Sequence, residues 1–297
     1  MSEQPTFDVC VVGSANLDLV ATTDRLPGPG ETVMGSSYAE FAGGKGLNQA
    51  VAASRAGALT AFAGAVGGDD AARQLIAVMD ADSVDRSALV VLPDAPTGRA
   101  LIGVSASGEN SIIVVPGANG ELRVNDVRAA AASARVLLVQ REVPAAVVRE
   151  ALAAAKRAGA LTILNPAPAS RIDEDTLALC DIVIPNEHEV QLLGGVTTLL
   201  DFGASAVVIT LGSRGAMLCR SGQPVLAIPA MSVEAIDTTG AGDAFCGAFA
   251  AAMSRDVDIV DALRFASAAG ALATTVRGAV PSLPHREAIE ALLTNAE

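Results

Sequence analysis

The 297-residue sequence predicts an α/β protein: a three-layer α/β/α sandwich around a mostly parallel central sheet, with a small antiparallel β lid. Three observations lead there. Short β-branched apolar runs alternate with Ala-rich helical stretches along most of the chain. Several of these runs are apolar at consecutive positions, as parallel strands covered on both faces require. Two segments then break the alternation and read as short strands joined by turns.

In chain order, DVCVVG (8–13) supplies the first strand and TAFAGAV (60–66) the next. RVLLVQ (135–140), LTIL (161–164), DIVIP (181–185) and AVVIT (206–210) follow. Helical periodicity separates them at 45–56, 69–80, 145–158 and 187–193. Such a βαβα order implies right-handed crossovers and helices on both faces of one sheet. The last third is mostly helical, at 241–253, 258–274 and 285–295, after short strands near 216–219, 225–228 and 231–236. The exceptions are 17–41, which contains the turn-rich LPGPGE, and 98–115, which reads as a hairpin turning at 107–110. Residues 17–41 and 98–115 are therefore assigned to a lid, and residues 1–16, 42–97 and 116–297 to the main domain. Its natural place is over a site at the strand ends.

Composition narrows the function. The hydrophobic fraction of 51% is raised by alanine, and no apolar run reaches the roughly 18 residues of a spanning helix. The opening MSEQPTFDVCVVG is polar and then strand-like, unlike a secretion signal, so a cytoplasmic location is expected. A net charge of −13 argues against a general nucleic-acid binder, which needs clustered Lys and Arg. It does not exclude a phosphorylated ligand, because backbone N–H groups hold phosphate without net charge. Cys10, Cys180, Cys219 and Cys246 lie scattered in apolar stretches and read as buried thiols.

The most informative motif is AIDTTGAGDAFCG (235–247), where a Gly-rich turn opens an apolar helix. Free N–H groups at a helix start, with the positive dipole end, form an anion site. Asp243 in the first turn is placed to take a proton from an alcohol while the N–H groups at the helix start steady a moving phosphoryl group. Plain helix capping fits the same aspartate. A dinucleotide loop does not fit, because Phe245 stands where a third Gly or Ala belongs, and no GxxxxGK[ST] run occurs. A second cluster, GGKGLNQ (43–49), brings Lys45 and Asn48 toward Asp18 of GSANLD (13–18), a donor and acceptor set suited to a polyol. In PNEHE (185–189), Asn186 and Glu189 share one helical face and suit Mg²⁺ through water, or a capping box, or both. His188 between them reads as incidental. TLGSRG (210–215) ends a strand with two glycines and two hydroxyls, able to wrap a nucleotide or simply to turn.

In this order, GGKGLNQAVAASRAG, LNPAPA, PNEHE, ITLGSRG and DTTGAGDAFCGA resemble the ribokinase branch of the PfkB-type sugar kinases, over about residues 9–292. The resemblance implies that Asp243 is the base and that Gly240, Ala241 and Gly242 form the anion hole. It implies a sugar site of Asn16, Asp18, Gly44, Lys45, Asn48 and Glu142, with Asn186 and Glu189 organising Mg²⁺. ATP would be lined by Thr210, Gly212, Ser213 and Gly215, with Ser267 near the adenine. A monovalent cation, usually K⁺, would take side-chain oxygens of Asp237 and Ser282 and carbonyls of Thr239, Ala273, Val276 and Gly278. A homodimer formed through the lids is also implied.

The implied reaction is transfer from ATP to O5 of D-ribose, which the GGKGLNQ block and Glu142 favour. Nucleoside, fructose and 2-keto-3-deoxygluconate kinases remain open, because lid side chains such as Ala100, Ile102 and Ile113 help set substrate shape. A silent sugar-binding protein is disfavoured by the intact Asp243 and its glycines. One departure stands out: between 193 and 206 the chain is about a helix shorter than such kinases. With 194–205 alone joining two strands, a tight connection is expected there.

Overall fold

Alternation along the first strand divides the core in two. In β1 (Phe7–Val12), Val9 and Val11 join one apolar cluster while Cys10 and Val12 join another, and all four are fully buried. A strand whose two faces are both covered lies inside a three-layer sandwich. The computed structural model describes residues 5–296.

The chain leaves the body at once into β2 (Asn16–Thr23) and β3 (Gly35–Gly43), returning through α1 (Lys45–Arg55). Next come β4 (Thr60–Gly67), α2 (Asp70–Ala81) and β5 (Asp85–Leu92), then a second excursion through β6 (Gly98–Ser105) and β7 (Asn110–Val115). A 3-10 turn, Gly117–Glu121, leads back to α3 (Val124–Ala131), β8 (Ala134–Val139), α4 (Ala145–Ala158) and β9 (Leu161–Leu164). Short α5 (Glu174–Leu177) precedes β10 (Ile182–Val183), α6 (Glu187–Leu192), α7 (Gly195–Asp201) and β11 (Ala206–Thr210). The hairpin of β12 (Ala216–Cys219) and β13 (Leu226–Ile228) is followed by α8 (Ala241–Met253), α9 (Ile259–Ala273), α10 (Ala279–Ser282) and α11 (Arg286–Ala296).

Among the described residues the large sheet runs β13-β12-β11-β10-β9-β8-β1-β4-β5, parallel except at the two pairings of β12. Helices α1, α2, α8, α9 and α11 bury one face of it, and α3, α4 and α7 the other. The small sheet is ordered β3-β2-β6-β7. Its outer pairings are antiparallel, as expected of the lid, but its central β2–β6 pairing is parallel. The reason is topological: both excursions leave the body from the same edge, so β2 and β6 start side by side, with Asn16 opposite Gly98.

Several expectations shift. Residues 231–236 form no strand: the Ile236 and Asp237 N–H groups instead donate to the Thr274 carbonyl at 2.7 and 3.0 Å. The strand β5 and the helix α3 carried too little periodicity to be expected, since β5 opens on the polar Asp85, Arg86 and Ser87. The connection from 194 to 205 is not a bare tight link, for it contains α7, and Leu199 seats that helix fully buried on the sheet. Ile113 pairs with Leu101, whereas Ala100 and Ile102 pair with Val114 and Ile112. Directly paired residues share a face and neighbours alternate, so Ile113 lies on the opposite face from Ala100 and Ile102.

One close approach holds the site-bearing helices together. A Cβ at Gly247 of α8 would fall 2.5 Å from the Gln49 carbonyl oxygen and 2.6 Å from Ala52 Cβ of α1. Gly247→Ala is expected to cost about 1–3 kcal/mol through overpacking. Urea unfolding should show a lower midpoint with an unchanged slope. An unaltered midpoint would mean that α1 and α8 are free to move apart.

Candidate active site

Asp18, Lys45, Asn48, Glu142 and Asp243 converge where β1, β8 and β9 end and α1 and α8 begin, the end at which open α/β sheets bind ligands. Gly240, in the left-handed region at φ 77°, turns the chain into α8. The Ala241 N–H closes a long turn bond of 3.3 Å to Thr238, while those of Gly240 and Gly242 donate to no protein acceptor among the described residues. Gly242 is exposed, so this loop opens outward, and one residue further on Asp243 is buried at 7% exposure.

Both Asp243 oxygens accept amide hydrogens from α1: Oδ2 from Asn48 Nδ2 at 2.9 Å and Oδ1 from Gln49 Nε2 at 2.8 Å. The Gln49 amide is itself oriented. Its oxygen accepts from Gln140 Nε2 and its nitrogen also donates to Asn165 Oδ1 at 3.1 Å. Asn165 Nδ2 in turn donates to the Ile184 carbonyl at 2.9 Å. This directed chain leaves Asp243 facing donors on both oxygens, an arrangement suited to accepting a proton on a remaining lone pair. The other end of Asn48, Oδ1, is buried with no partner among the described residues. A buried orphan acceptor costs free energy unless a ligand donates to it.

Around this centre lie Asp18, Lys45 and Glu142. Glu142 Oε2 accepts from the Ser14 hydroxyl and from the Lys45 N–H, the latter at 3.1 Å, and so anchors the start of α1. That start is tight: Gly44 sits at φ 88°, and a Cβ on Gly46 would lie 2.6 Å from Gly13 backbone. The Asp18 carboxyl packs where a Cβ of Gly43 would be, 2.1 Å from Oδ2, and accepts no hydrogen bond from protein among the described residues. Burial pushes Asp18 up to about 7, with Glu142 and Asp243 adding and Lys45 opposing. The Lys45 ammonium is raised above its usual range, chiefly by the Asp243 charge against the effect of burial, so it stays protonated.

The third and fourth motifs meet through the sheet. Thr210 bridges to Asn186, and its N–H donates to the Pro185 carbonyl at 3.0 Å. Asn186 and Glu189 form a reciprocal capping box at 2.8 Å in both directions. Glu189 is buried and its charge reaches Lys45. Gly212, Ser213 and Arg214 form an exposed 3-10 turn before Gly215, and Arg214 pairs with Glu187 across to α6. Ser267 is buried in α9, one turn before Gly270, which approaches the Ala241 carbonyl; the Ser267 hydroxyl has no partner among the described residues.

Beside α8, Asp237 ties two loops: Oδ1 accepts from Thr239 N and Oγ1 at 2.9 and 2.7 Å, and Oδ2 from Gly278 N at 2.9 Å. Burial acts to raise Asp237, but these bonds from Gly278 and Thr239 outweigh it and hold it below its usual range. The Ser282 hydroxyl is buried in α10 and donates to Ala279 O at 2.8 Å, leaving its oxygen lone pairs free to accept. Ala273 ends α9, and exposed Val276 lies in the loop before Gly278. An ionised carboxylate among loop carbonyls is a donor set suited to a large monovalent cation. No group of three His, Cys, Asp or Glu is placed to hold a metal among the described residues.

Ser14, Gln49, Gln140, Asn165 and Asn119 were not assigned roles from sequence. Ser14, Gln49 and Asn165 stand inside GSANLD, GGKGLNQ and LNPAPA, and Gln140 is a polar residue closing an apolar strand, a readable signal. Asn119 had none.

The raised Asp18 group gives a signed expectation. Below its ordinary 3.8 the carboxyl is protonated whether the chain is folded or not. Between there and about 7 the unfolded chain releases the proton while the folded one keeps it, so stability falls as pH rises. Asp18→Asn should flatten this part of the Tm profile and raise Tm at pH 8 by about 2–4 °C. A variant slope matching that of the parent would contradict this account of Asp18.

Residues 6–286 match the pfkB family carbohydrate kinase model. The chain is 38% identical to ribokinase from Haemophilus influenzae, covering 93% of this chain and 95% of that protein. It is also 38% identical to ribokinase from Bacillus subtilis, over 97% and 99% of the two chains. Among solved structures, Arabidopsis thaliana ribokinase complexed with ribose and ATP superposes with a TM-score of 0.90 at 33% identity, covering 98% of this chain and 99% of that one. With this match over nearly its whole length, on the geometry described, the chain belongs to the pfkB family of carbohydrate kinases.

Proposed function

We propose that this carbohydrate kinase transfers the γ-phosphoryl group of ATP to O5 of D-ribose, giving D-ribose 5-phosphate and ADP. The observation that carries the reading is the buried Asp243, held by Asn48 and Gln49 beside the open N–H groups of the α8 turn. Asp18, Asn48 Oδ1 and Glu142 offer acceptors to sugar hydroxyls, and Asn16, Gly44 and Lys45 complete the pocket. As the sugar oxygen attacks phosphorus and the bond to ADP breaks, Asp243 takes the hydroxyl proton and later loses it to water. The N–H groups of Gly240, Ala241 and Gly242 face the charge on the transferred group. The protonated Lys45 balances the surrounding carboxylates.

ATP would lie along Thr210, Gly212, Ser213 and Gly215, with Ser267 toward the base. Mg²⁺, near Asn186 and Glu189 through water, would offset phosphate charge, and K⁺ at Asp237, Thr239, Ala273, Val276, Gly278 and Ser282 would fix the loop shape. The lids would pair two copies, a reading supported by the edge strand β7, exposed along its whole length with Ile112, Ile113, Val114 and Val115. Among the described residues no helix is long and apolar enough to cross a membrane. The four cysteines are free and buried, and burial pushes Cys10 and Cys180 up to about 12, as expected of packed, unreactive thiols.

ADP release should be followed with Mg-ATP and K⁺ across ribose, deoxyribose, fructose, 2-keto-3-deoxygluconate and several nucleosides. Ribose is expected to give the highest kcat/KM, and replacing K⁺ with a large organic cation should lower it. A different preferred sugar would overturn the ribose assignment, and indifference to the cation would overturn the monovalent site.

A further inference from the structure

Asn119 is 1% exposed and sits in the 3-10 turn that brings the chain back from the small sheet to the body. Its amide makes three hydrogen bonds, all to the point where β2 departs. Oδ1 accepts the Ala15 N–H at 3.0 Å, and Nδ2 donates to the Ala15 carbonyl at 3.1 Å and to Asn16 Oδ1 at 2.8 Å. The two bonds to Ala15 determine which end of the Asn119 amide is which. A backbone N–H can only donate and a carbonyl can only accept, so a reversed amide would set donor against donor and acceptor against acceptor. Asn119 is therefore restricted to donating toward Asn16.

That restriction passes to Asn16. Its oxygen must face Asn119, so its Nδ2 points the other way, and it donates to no protein group among the described residues. Asn16 is itself 2% exposed. It stands two residues before Asp18 on β2, and alternate residues of a strand share a face. Gly98 leaves room for the pair: a Cβ there would lie 2.2 Å from both Asn119 Nδ2 and Asn16 Oδ1.

We propose that Asn119 is a positioning residue that sets the polarity of Asn16, so that Asn16 meets the sugar as a hydrogen-bond donor. The sugar group opposite it is then an oxygen with a lone pair to offer. Because Asn119 lies directly after β7, the same contact ties this polarity to the root of the lid. The proposal rests on the reading of Asn16 as a sugar ligand.

The test is a double-mutant cycle on steady-state kinetics with ribose and ATP. Asn119→Ala should raise the ribose KM on the order of 10-fold, the loss of roughly one well-formed hydrogen bond, and leave the ATP KM within about twofold. In an Asn16→Ala background the same substitution should change the ribose KM by less than about twofold, since the residue it acts through is gone. Equal effects in both backgrounds, or a matching rise in the ATP KM, would overturn the proposal. Should Asn119→Ala not fold, Asn119→Ser carries the same expectations, because its short hydroxyl keeps a polar group in the turn but falls short of Asn16. An Asn16→Ala variant with unchanged ribose KM would instead refute Asn16 as a sugar ligand.

Discussion

A carboxylate held inside the protein by two amide donors governs the layout of this molecule. Leaving the charge of Asp243 buried and uncompensated would cost several kcal/mol. Asn48 and Gln49 meet that demand, and both project from α1, so α1 has to lie against α8. Gly247 permits the approach, and Gly44 and Gly46 permit α1 to begin directly beneath β1. Gln140 and Asn165, at the ends of β8 and β9, then orient Gln49. The parallel sheet brings these strand ends to one edge, which is how residues nearly 200 positions apart in sequence meet within 3 Å.

The same site concentrates like charges at a cost in stability. Asp18, Glu142 and Asp243 stand near one another, with Lys45 as the cation among them. Asp18 has no protein donor among the described residues, and Asn48 Oδ1 is buried without a partner. A polyol bound there would supply hydroxyl donors to both. A sugar bound as proposed would complete hydrogen bonding that the fold leaves open. Phosphoryl transfer asks little more of the protein than this positioning and a set of fixed dipoles.

The layered architecture was legible because its strands are short, β-branched and apolar on both faces, and most helices begin or end within a residue or two of their expected bounds. The central residues of the site were legible because they cluster in Gly-rich motifs at strand ends. What escaped was tertiary. The parallel pairing of β2 with β6 depends on where two excursions leave the body, which local alternation does not encode. The 231–236 segment has strand-like composition but is held by α9 instead of by a neighbouring strand. Asn119 and Gln140 gain their roles from contacts across 104 and 91 residues, and no spacing rule reaches that far.

The central claim is that Asp243 receives the sugar proton, and single-turnover measurement of phosphoryl transfer in Asp243→Asn tests it most directly. The substitution keeps the side-chain shape but removes the base. The account predicts that ATP and ribose still bind while the chemical step slows on the order of 10²–10⁴-fold. A chemical step at nearly the parent rate would contradict it and move the base elsewhere among the carboxylates of the site.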